Sequence, residues 1–397
     1  MRSALARHWR LDPDVTFLNH GSYGACPALV LERQSELRAR LESEPVRFMQ
    51  RELPALLTDA RRALATFVNA DAEGLAFLPN VTHAVSTVLR SLSLSPGDEL
   101  LTHDHAYTAC RNALEVIAAR AGARVVVAKI PFPLDDAQAI TRALASAVTP
   151  RTRLALVDHV TSPSGLVFPV AAIARALDER GVDVLVDGAH APGMLALDVN
   201  ALDVAYYAGN CHKWLCAPKG VGFLFVREDR RDEIRPLAYG HGSSLVDARE
   251  RFRAELDWTG TADPTAILCV PTAIEVMASL VEGGWPAIRA HNHALAVRAR
   301  ELLCEALGVS KPSPDDALGS LAAVPLPSGA GVNLGRPGAG IDPLQEWLWT
   351  QHVEAPVFVR PGDGGGRLLR VSAQLHNAID EYGHLASLLR RAPAELL

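Results

Sequence analysis

Apolar residues follow two alternating periodicities along most of the chain, and this alternation predicts strands separated by helices. Between residues 80 and 92 apolar side chains recur at helical spacing, which predicts a helix that Asn80 caps and that ends before Ser95. Short continuous apolar runs, typical of strands buried on both faces, come between the helical segments. These runs are ELLTH, RVVVAKI, RLALVDHV, VDVLVDGAH, VAYYAG and GVGFLFV.

The alternation of strands and helices predicts an α/β domain with a mostly parallel sheet, which we place at residues 17–262. We expect residues 1–16 and 263–397 to form a smaller α+β domain with two helices, a small sheet and a last helix. The predicted small sheet comprises LAAVPLP, GVNLG, APVFVRPG and LLRVSAQL. One early stretch, FLNHGSYGACP, is too interrupted for a helix and too rich in turn residues for a strand interior.

Composition narrows the classes of partner and location. The net charge of −6, with no long run of one sign, indicates neither a nucleic-acid nor an anionic-membrane partner. No apolar run approaches the ~20 residues of a membrane span, and the first residues do not form a signal peptide. The six cysteines lack paired CxxC spacing, which favours a reducing, cytoplasmic setting.

Polar residues follow several predicted strands, and ligands of open α/β sheets bind beyond the carboxyl ends of strands. Asn80-Val81-Thr82-His83 begins a helix, where free N–H groups favour a phosphate, although the same residues could be a plain cap. Asp187 ends the run VDVLVDGAH and could pair with a protonated heterocycle nitrogen or cap a helix. No HxH or HxxxH ligand spacing surrounds Asp187 in the sequence, so no metal site is predicted.

Two basic residues stand in apolar surroundings. Lys213, within GNCHKWLCAPKG, lies between His212 and Trp214, and burial there would lower its pKa and leave a neutral amine able to form a Schiff base. Arg370 lies in the segment GGGRLLRVSAQLHN, where its planar guanidinium suits a carboxylate. A surface lysine and an internal salt bridge are the alternatives, and both stay open at this point.

Five motifs together resemble a known enzyme family. They are FLNHGSYGACP, HDHAY, DGAHAPG, GNCHKWLCAPKG and RVSAQLHN. They resemble the class V aminotransferase superfamily of pyridoxal 5'-phosphate enzymes of fold type I, and most of all its isopenicillin N epimerase-like branch. The resemblance implies an aspartate aminotransferase-like fold with a seven-stranded sheet, pyridoxal phosphate as cofactor, an amino acid or amino-acid-derived small molecule as substrate, and a homodimer with active sites at the interface.

The resemblance also implies roles for individual residues. Lys213 would form the Schiff base with the cofactor and carry the α-proton, and Asp187 would keep the pyridine nitrogen protonated. His105 would stack on the ring, with Tyr107 as the alternative, and Arg370 would bind the substrate α-carboxylate.

The remaining positions are implied to bind the phosphate, the ring hydroxyl or the substrate. The residues implied to bind the phosphate are Val81, Thr82, Asn210 and His212 and, across the dimer interface, Thr261. Those implied to bind the ring hydroxyl are His190 and Ser162. Those implied to face the substrate are Asn19, His20 and Tyr23. Three of the positions depart from the family, since Ser162, Asn210 and His376 stand where it often has Asn, Ser and Tyr.

The sequence leaves the reaction open among several outcomes. Desulfurases use a mobile C-terminal cysteine, and none follows Cys304, so persulfide transfer is disfavoured while direct C–S lysis remains. Epimerisation or racemisation, C–S lysis and transamination all begin with removal of the α-proton. Inversion would need a second proton donor, for which the candidates are Tyr23, His20, Tyr107 and His241. A non-catalytic binding protein of the same fold is the alternative from a different class, and the presence of Lys213 and Asp187 argues against it.

Overall fold

The computed structural model describes residues 2–245, 247–327, 341–362 and 366–397, with only the backbone of 248–250. The strands in these ranges are β1 Thr16–Phe17, β2 Leu75–Leu78, β3 Glu99–His103, β4 Arg124–Ala128, β5 Thr152–Asp158, β6 Asp183–Gly188, β7 Tyr206–Asn210, β8 Gly222–Val226, β9 Leu321–Pro325, β10 Val353–Glu354, β11 Val357–Val359 and β12 Arg367–Ser372. The helices are α1 His20–Tyr23, α2 Ala28–Ser43, α3 Pro45–Arg47, α4 Leu53–Val68, α5 Val81–Ser91, α6 Thr108–Ala121, α7 Gln138–Ser146, α8 Val170–Asp178, α9 Val199–Leu202, α10 Ala248–Asp257, α11 Thr265–Leu268, α12 Val270–Ser279, α13 Gly284–Leu307, α14 Pro343–Thr350 and α15 Ile379–Leu389.

The central sheet has seven strands in the order β2-β8-β7-β6-β5-β3-β4. Strands β3 to β7 pair in parallel, and β8 pairs antiparallel with both β7 and β2. The predicted mostly parallel α/β fold is therefore confirmed. The carboxyl ends of β3, β5, β6 and β7 meet at one edge of this sheet, where chemistry is expected.

Both faces of the central sheet are covered, which explains why its strands show no polar alternation. Neighbouring residues belong to different cores because strand side chains point alternately to opposite faces. Leu101 and Val157 pack in one core with α2, α4, α7, α8 and α12. Leu100 and Leu156 pack in the other with α5, α6 and α10.

The later part of the chain forms a second layer of structure. Strands β11, β12 and β9 make an antiparallel sheet that packs with α13 and α15 in a separate core. Helices α11 and α12 instead contact α2 and α4. The domain boundary after residue 262 stays a prediction. The predicted strand GVNLG, at 331–335, lies outside the described residues.

The stretch FLNHGSYGACP contains one turn of helix, so the prediction that it is too interrupted for a helix is wrong. Asn19 holds the turn, since its carbonyl accepts the Ser22 N–H at 3.2 Å and its Oδ1 accepts the Ser22 hydroxyl at 2.6 Å. Gly24 ends the turn with φ 72° and donates its N–H to the His20 carbonyl at 2.8 Å. Short-range hydrogen bonds therefore stabilise a helical turn here that apolar periodicity does not predict.

Replacing Gly24 by Ala is expected to destabilise the protein more than replacing Gly97 by Ala. Both glycines have positive φ, so in both variants the added side chain stands on a backbone conformation that costs an L-residue about 1–2 kcal/mol. A Cβ on Gly24 would also lie 2.1 Å from the His212 carbonyl oxygen, whereas one on Gly97 meets nothing within 4 Å. Denaturant titration should show an extra loss of about 1–3 kcal/mol for Gly24→Ala. Equal losses would contradict this close packing.

Candidate active site

A cleft of about 490 Å³ opens at the carboxyl edge of the central sheet, within the size range of cofactor and ligand pockets. It gathers most of the predicted site residues, although they are far apart in sequence. Those that line it are Tyr23, Val81, Thr82, Tyr107, Ser162, Asp187, His190, Asn210, His212 and Lys213.

Several predicted residues do not line this cleft. His105 is fully buried, with its Nδ1 2.7 Å from Ser164 Oγ, so of the two ring-stacking candidates Tyr107 is the one at the cleft. His20 is also fully buried, and its interactions are with backbone and other rings. Thr261 and His241 line a separate groove.

Lys213 contacts a histidine whose tautomer the structure fixes. The Trp214 indole can only donate, and its Nε1 lies 3.2 Å from His190 Nδ1. Burial, and next the nearby Lys213 charge, hold the pKa of His190 well below its usual range, so the ring is neutral and its proton sits on Nε2. That Nε2–H therefore donates to Lys213 Nζ, 3.1 Å away, and needs a lone pair on a neutral amine.

The surroundings of Lys213 also favour its neutral amine. Burial, and secondarily the Arg370 charge, lower the pKa of Lys213 to about 8, while Asp187 opposes the shift. The neutral amine is the nucleophilic form, so Lys213 is prepared to attack a carbonyl near neutral pH.

Asp187 sits at the end of β6 as a buried carboxylate in the cleft. It accepts the Ala189 N–H at 3.0 Å and the Cys110 thiol at 3.2 Å. Asp158, its register partner at the end of β5, also lines the cleft and was missed from the sequence. Burial raises the pKa of Asp158 to about 6, although His103 opposes the shift. Its position as the last residue of the apolar run RLALVD is the available signal.

The start of α5 offers hydrogen-bond donors to an anion. Free N–H groups mark the first turn of any helix. Asn210 Oδ1 accepts the Val81 N–H at 3.0 Å, and Asn80 Oδ1 accepts the His83 N–H at 2.9 Å, while Thr82 lines the cleft between them. Asn210 has thus committed its oxygen and keeps its amide NH₂ as a donor.

Arg370 is a buried cation without an acidic partner among the described residues. Its guanidinium donates to the Ser162 carbonyl at 2.7 Å, to Ser22 Oγ at 3.0 Å and to Asn19 Oδ1 at 3.3 Å, all neutral acceptors. Its Nε has no partner, and burial lowers the pKa of Arg370 to about 10. The internal salt bridge considered from the sequence is not formed, so the site still needs an anion.

His20 positions the backbone of Lys213 rather than reaching the cleft. Its Nδ1 accepts the Ala25 N–H at 3.3 Å and faces His376 Nε2 at 3.2 Å, so its own proton lies on Nε2. That proton is donated to the Lys213 carbonyl at 3.1 Å. Burial lowers the pKa of His20 to about 3, which keeps this arrangement at neutral pH. The departure from tyrosine at His376 thus supports a buried histidine pair.

The residues present fit pyridoxal phosphate. The cleft holds a low-pKa amine, a buried carboxylate, helix N–H donors and a nearby unpaired guanidinium, which match the aldehyde, the ring nitrogen, the phosphate and a substrate carboxylate. No group of three or more His, Cys, Asp or Glu residues suited to a metal ion occurs in the described parts of the chain. No single described helix is long and apolar enough to cross a membrane, and only the bent pair α11–α12 with α13 passes on length and composition.

Comparisons with known proteins agree with the fold and identify the family. The family model "Aminotransferase class-V" matches residues 25–335. Isopenicillin N epimerase of Streptomyces clavuligerus is 38% identical over 96% of this chain and 95% of its own. Putative L-cysteine desulfhydrase 1 of Oryza sativa subsp. japonica is 31% identical over 96% and 84%. A solved complex of the cystine C-S lyase C-DES superposes with a TM-score of 0.77, at 24% identity over 95% and 98% of the two chains.

Fold and site together define a pyridoxal-phosphate enzyme of fold type I. The chain belongs to the aminotransferase class-V family, in its isopenicillin N epimerase-like branch.

Replacing Trp214 by Phe is expected to raise the pKa of Lys213 above its value of about 8. Without the indole N–H, the His190 tautomer can switch, and Nε2 can then accept from the lysine ammonium. The measurement is the initial rate at which pyridoxal phosphate and cyanoborohydride label Lys213 of the apoprotein, followed against pH by mass spectrometry. Only the neutral amine reacts, so the wild-type rate should rise through pH ~8 and the variant's at higher pH.

Two controls accompany this measurement. Trp285→Phe removes a comparable indole bond, to the Ile274 carbonyl at 3.1 Å, and should leave the inflection unchanged. Lys311, whose pKa is raised by hydrogen bonds to Glu301 and Asp315, should show no inflection near pH 8. An identical Lys213 profile in wild type and Trp214→Phe would contradict the assigned tautomer.

Proposed function

We propose that this enzyme inverts the α-carbon of an amino acid or an amino-acid-derived substrate, as an epimerase or racemase. The observation that carries the amino-acid substrate is the unpaired Arg370 guanidinium, which contacts the cleft residues Ser22 and Ser162, near the Lys213 amine in the cleft. Arg370 is buried without an acidic partner among the described residues, and Lys213 carries a weakened charge. A substrate carboxylate would pair with Arg370, and an amine on the same carbon would take the place of Lys213 Nζ at the cofactor aldehyde.

Pyridoxal phosphate, when bound, withdraws electrons from the substrate α-carbon through its protonated ring. Lys213 would hold it covalently through Nζ, and Asp187 would hold the ring nitrogen. His190 Nε2–H is a fixed donor suited to the ring hydroxyl. The first turn of α5 and the Asn210 amide suit the phosphate. His212 Nδ1 is committed to the Val221 carbonyl at 3.0 Å, so His212 would contact phosphate through Nε2.

The substrate carboxylate would bind at Arg370. Asn19, Ser22 and Ser162 orient the guanidinium but leave its charge unmatched, so an entering carboxylate gains a charge-assisted bond. The opening stretch of the chain thus takes part in substrate binding through Asn19 and Ser22. Tyr23 lines the cleft, and its side chain is 75% exposed.

Two groups are placed to handle the α-proton. Lys213 follows β7, and Tyr107 follows β3, on the far side of β6 and β5 in the sheet. Burial, and next Cys110, raise the pKa of Tyr107, so its phenol stays protonated and can donate. Of the four candidates for the second proton donor, Tyr107 and Tyr23 line the cleft. We favour Tyr107, because burial raises the pKa of its phenol and keeps it protonated.

A C–S lyase is the second candidate. All six cysteines are buried, and burial raises the pKa of each thiol, to about 12 at Cys26 for example. A persulfide relay therefore lacks an accessible thiolate, whereas direct lysis needs none. The desulfhydrase relatives favour this candidate, and the epimerase relatives, at higher identity, favour the first. Transamination remains a further alternative, and the low-pKa lysine argues against a non-catalytic protein.

Incubation of the holoenzyme in deuterated water with isopenicillin N and a panel of L-amino acids tests the reaction. We expect deuterium at an inverted α-carbon. Lys213→Ala should abolish both exchange and inversion. Tyr107→Phe should slow inversion by about 10²-fold or more while exchange with retention continues, because one proton donor is lost.

Tyr239→Phe, at an exposed tyrosine that does not line the cleft, is the matched control and should behave as wild type. Release of pyruvate with sulfide would replace the proposal with a lyase. A keto acid formed only with an amino acceptor would replace it with an aminotransferase.

We also propose a homodimer in a cytoplasmic location. Free buried thiols support the reducing setting. The exposed Thr261 lines a groove of about 800 Å³ with Val46 and Met49, apart from the cleft, and a second copy bound there would bring Thr261 to the partner's phosphate.

Light scattering should therefore give the mass of two 42.6 kDa chains. Thr261→Ala should weaken cofactor affinity without dissociating the dimer, because it removes one hydroxyl and little packing. A monomeric holoenzyme with full cofactor occupancy would contradict this arrangement.

A further inference from the structure

A second groove of about 620 Å³ continues the cleft toward β4, the edge strand of the central sheet. Tyr107 and Ser162 line both the cleft and this groove. Arg370 stands at the junction, since it donates to Ser162 and its guanidinium carbon lies 4.7 Å from the centre of the Phe358 ring, which lines the groove. One extended ligand can therefore occupy both spaces.

The groove is cationic in a chain that is acidic as a whole. Arg111 and Arg360 line it, against one described acid, Asp104. Asp104 Oδ1 is already engaged by the Ile130 N–H at 3.0 Å. The whole chain carries a net charge of −6, so this local excess of positive charge attracts anions specifically to the groove.

Local helix stability does not account for Arg111. It lies in the first turn of α6, where the helix dipole disfavours a cation. Its ion pair with Glu115 spans 3.8 Å between half-exposed side chains and contributes little. The guanidinium is therefore available to a ligand at small cost.

The rest of the groove suits an aliphatic stem. Val127, Val357 and Phe358 give the groove an apolar lining beside Tyr107 and the two arginines. The Arg111 N–H donates to the Tyr107 carbonyl at 3.0 Å, so the two residues are one helical turn apart, roughly 6 Å along the axis. A substrate side chain of about four or more bonds beyond the α-carbon spans that distance.

We infer that this groove is a distal subsite, in which Arg111 and Arg360 bind an anionic group, most simply a carboxylate, at the far end of the substrate side chain. The inference rests on the proposed function, because it takes the amino-acid head to lie at Lys213 and Arg370. It assigns the enzyme to extended amino acids that carry a second negative charge. Planar guanidinium groups suit a carboxylate in this role.

The test compares two amino acids of equal carbon count, 2-aminopimelate with a distal carboxylate and 2-aminoheptanoate without one. Dissociation constants are measured on the holoenzyme by calorimetry and by the change in cofactor absorbance. Wild type should bind 2-aminopimelate about tenfold or more tightly than 2-aminoheptanoate, as one charge-assisted bond provides. Arg111→Gln and Arg360→Gln should each reduce that preference and leave 2-aminoheptanoate binding unchanged.

Arg120→Gln, at an exposed position on the same helix outside the groove, is the matched control and should keep the full preference. Equal wild-type affinity for the two ligands, or a preference that survives both groove variants, would overturn the subsite while leaving the proposed function in place. A holoenzyme that binds neither 2-aminopimelate nor 2-aminoheptanoate, nor any L-amino acid of the panel, would overturn both.

Discussion

The backbone around Lys213 is enclosed so closely that the chemistry of its amine depends on that enclosure. His20 donates to its carbonyl, and Gly24 lets the N-terminal segment touch the same loop. On the other side Gly193 lies against the Trp214 backbone, where a Cβ would come within 2.5 Å. This enclosure desolvates the amine, which lowers its pKa, and Trp214 is held where its indole orients His190.

The charges of the site form an arrangement that a ligand completes. Arg370 is a buried cation, and its charge disfavours protonation of Lys213, which lines the cleft. The residues around Arg370 are neutral hydrogen-bond acceptors, which satisfy geometry without neutralising charge. Leaving a buried cation unpaired costs stability, and an entering anion recovers that cost as binding energy. The unpaired Arg370 therefore favours an anionic ligand in the unliganded protein.

The sequence predicted what depends on local pattern and missed what depends on distant contacts. Strand ends such as Asp187 and Asn210 could be placed at one sheet edge, because apolar runs reveal strands and parallel strands align their ends. His20 was expected to face the substrate, but its partners His376 and Lys213 lie 356 and 193 residues away. Helix α2 was not predicted, because only Val30, Gln34 and Leu37 are buried on it.

The wall that we propose binds the substrate carboxylate joins the two ends of the chain. Strand β1 pairs with β10, the Ser372 N–H donates to the Leu18 carbonyl, and the Gly21 N–H donates to Ser372 Oγ across 351 residues. The central sheet, in contrast, is complete by Val226. Contacts of such long sequence separation form late in folding. A nascent chain thus assembles the edge that holds the cofactor before it acquires the means to choose a substrate.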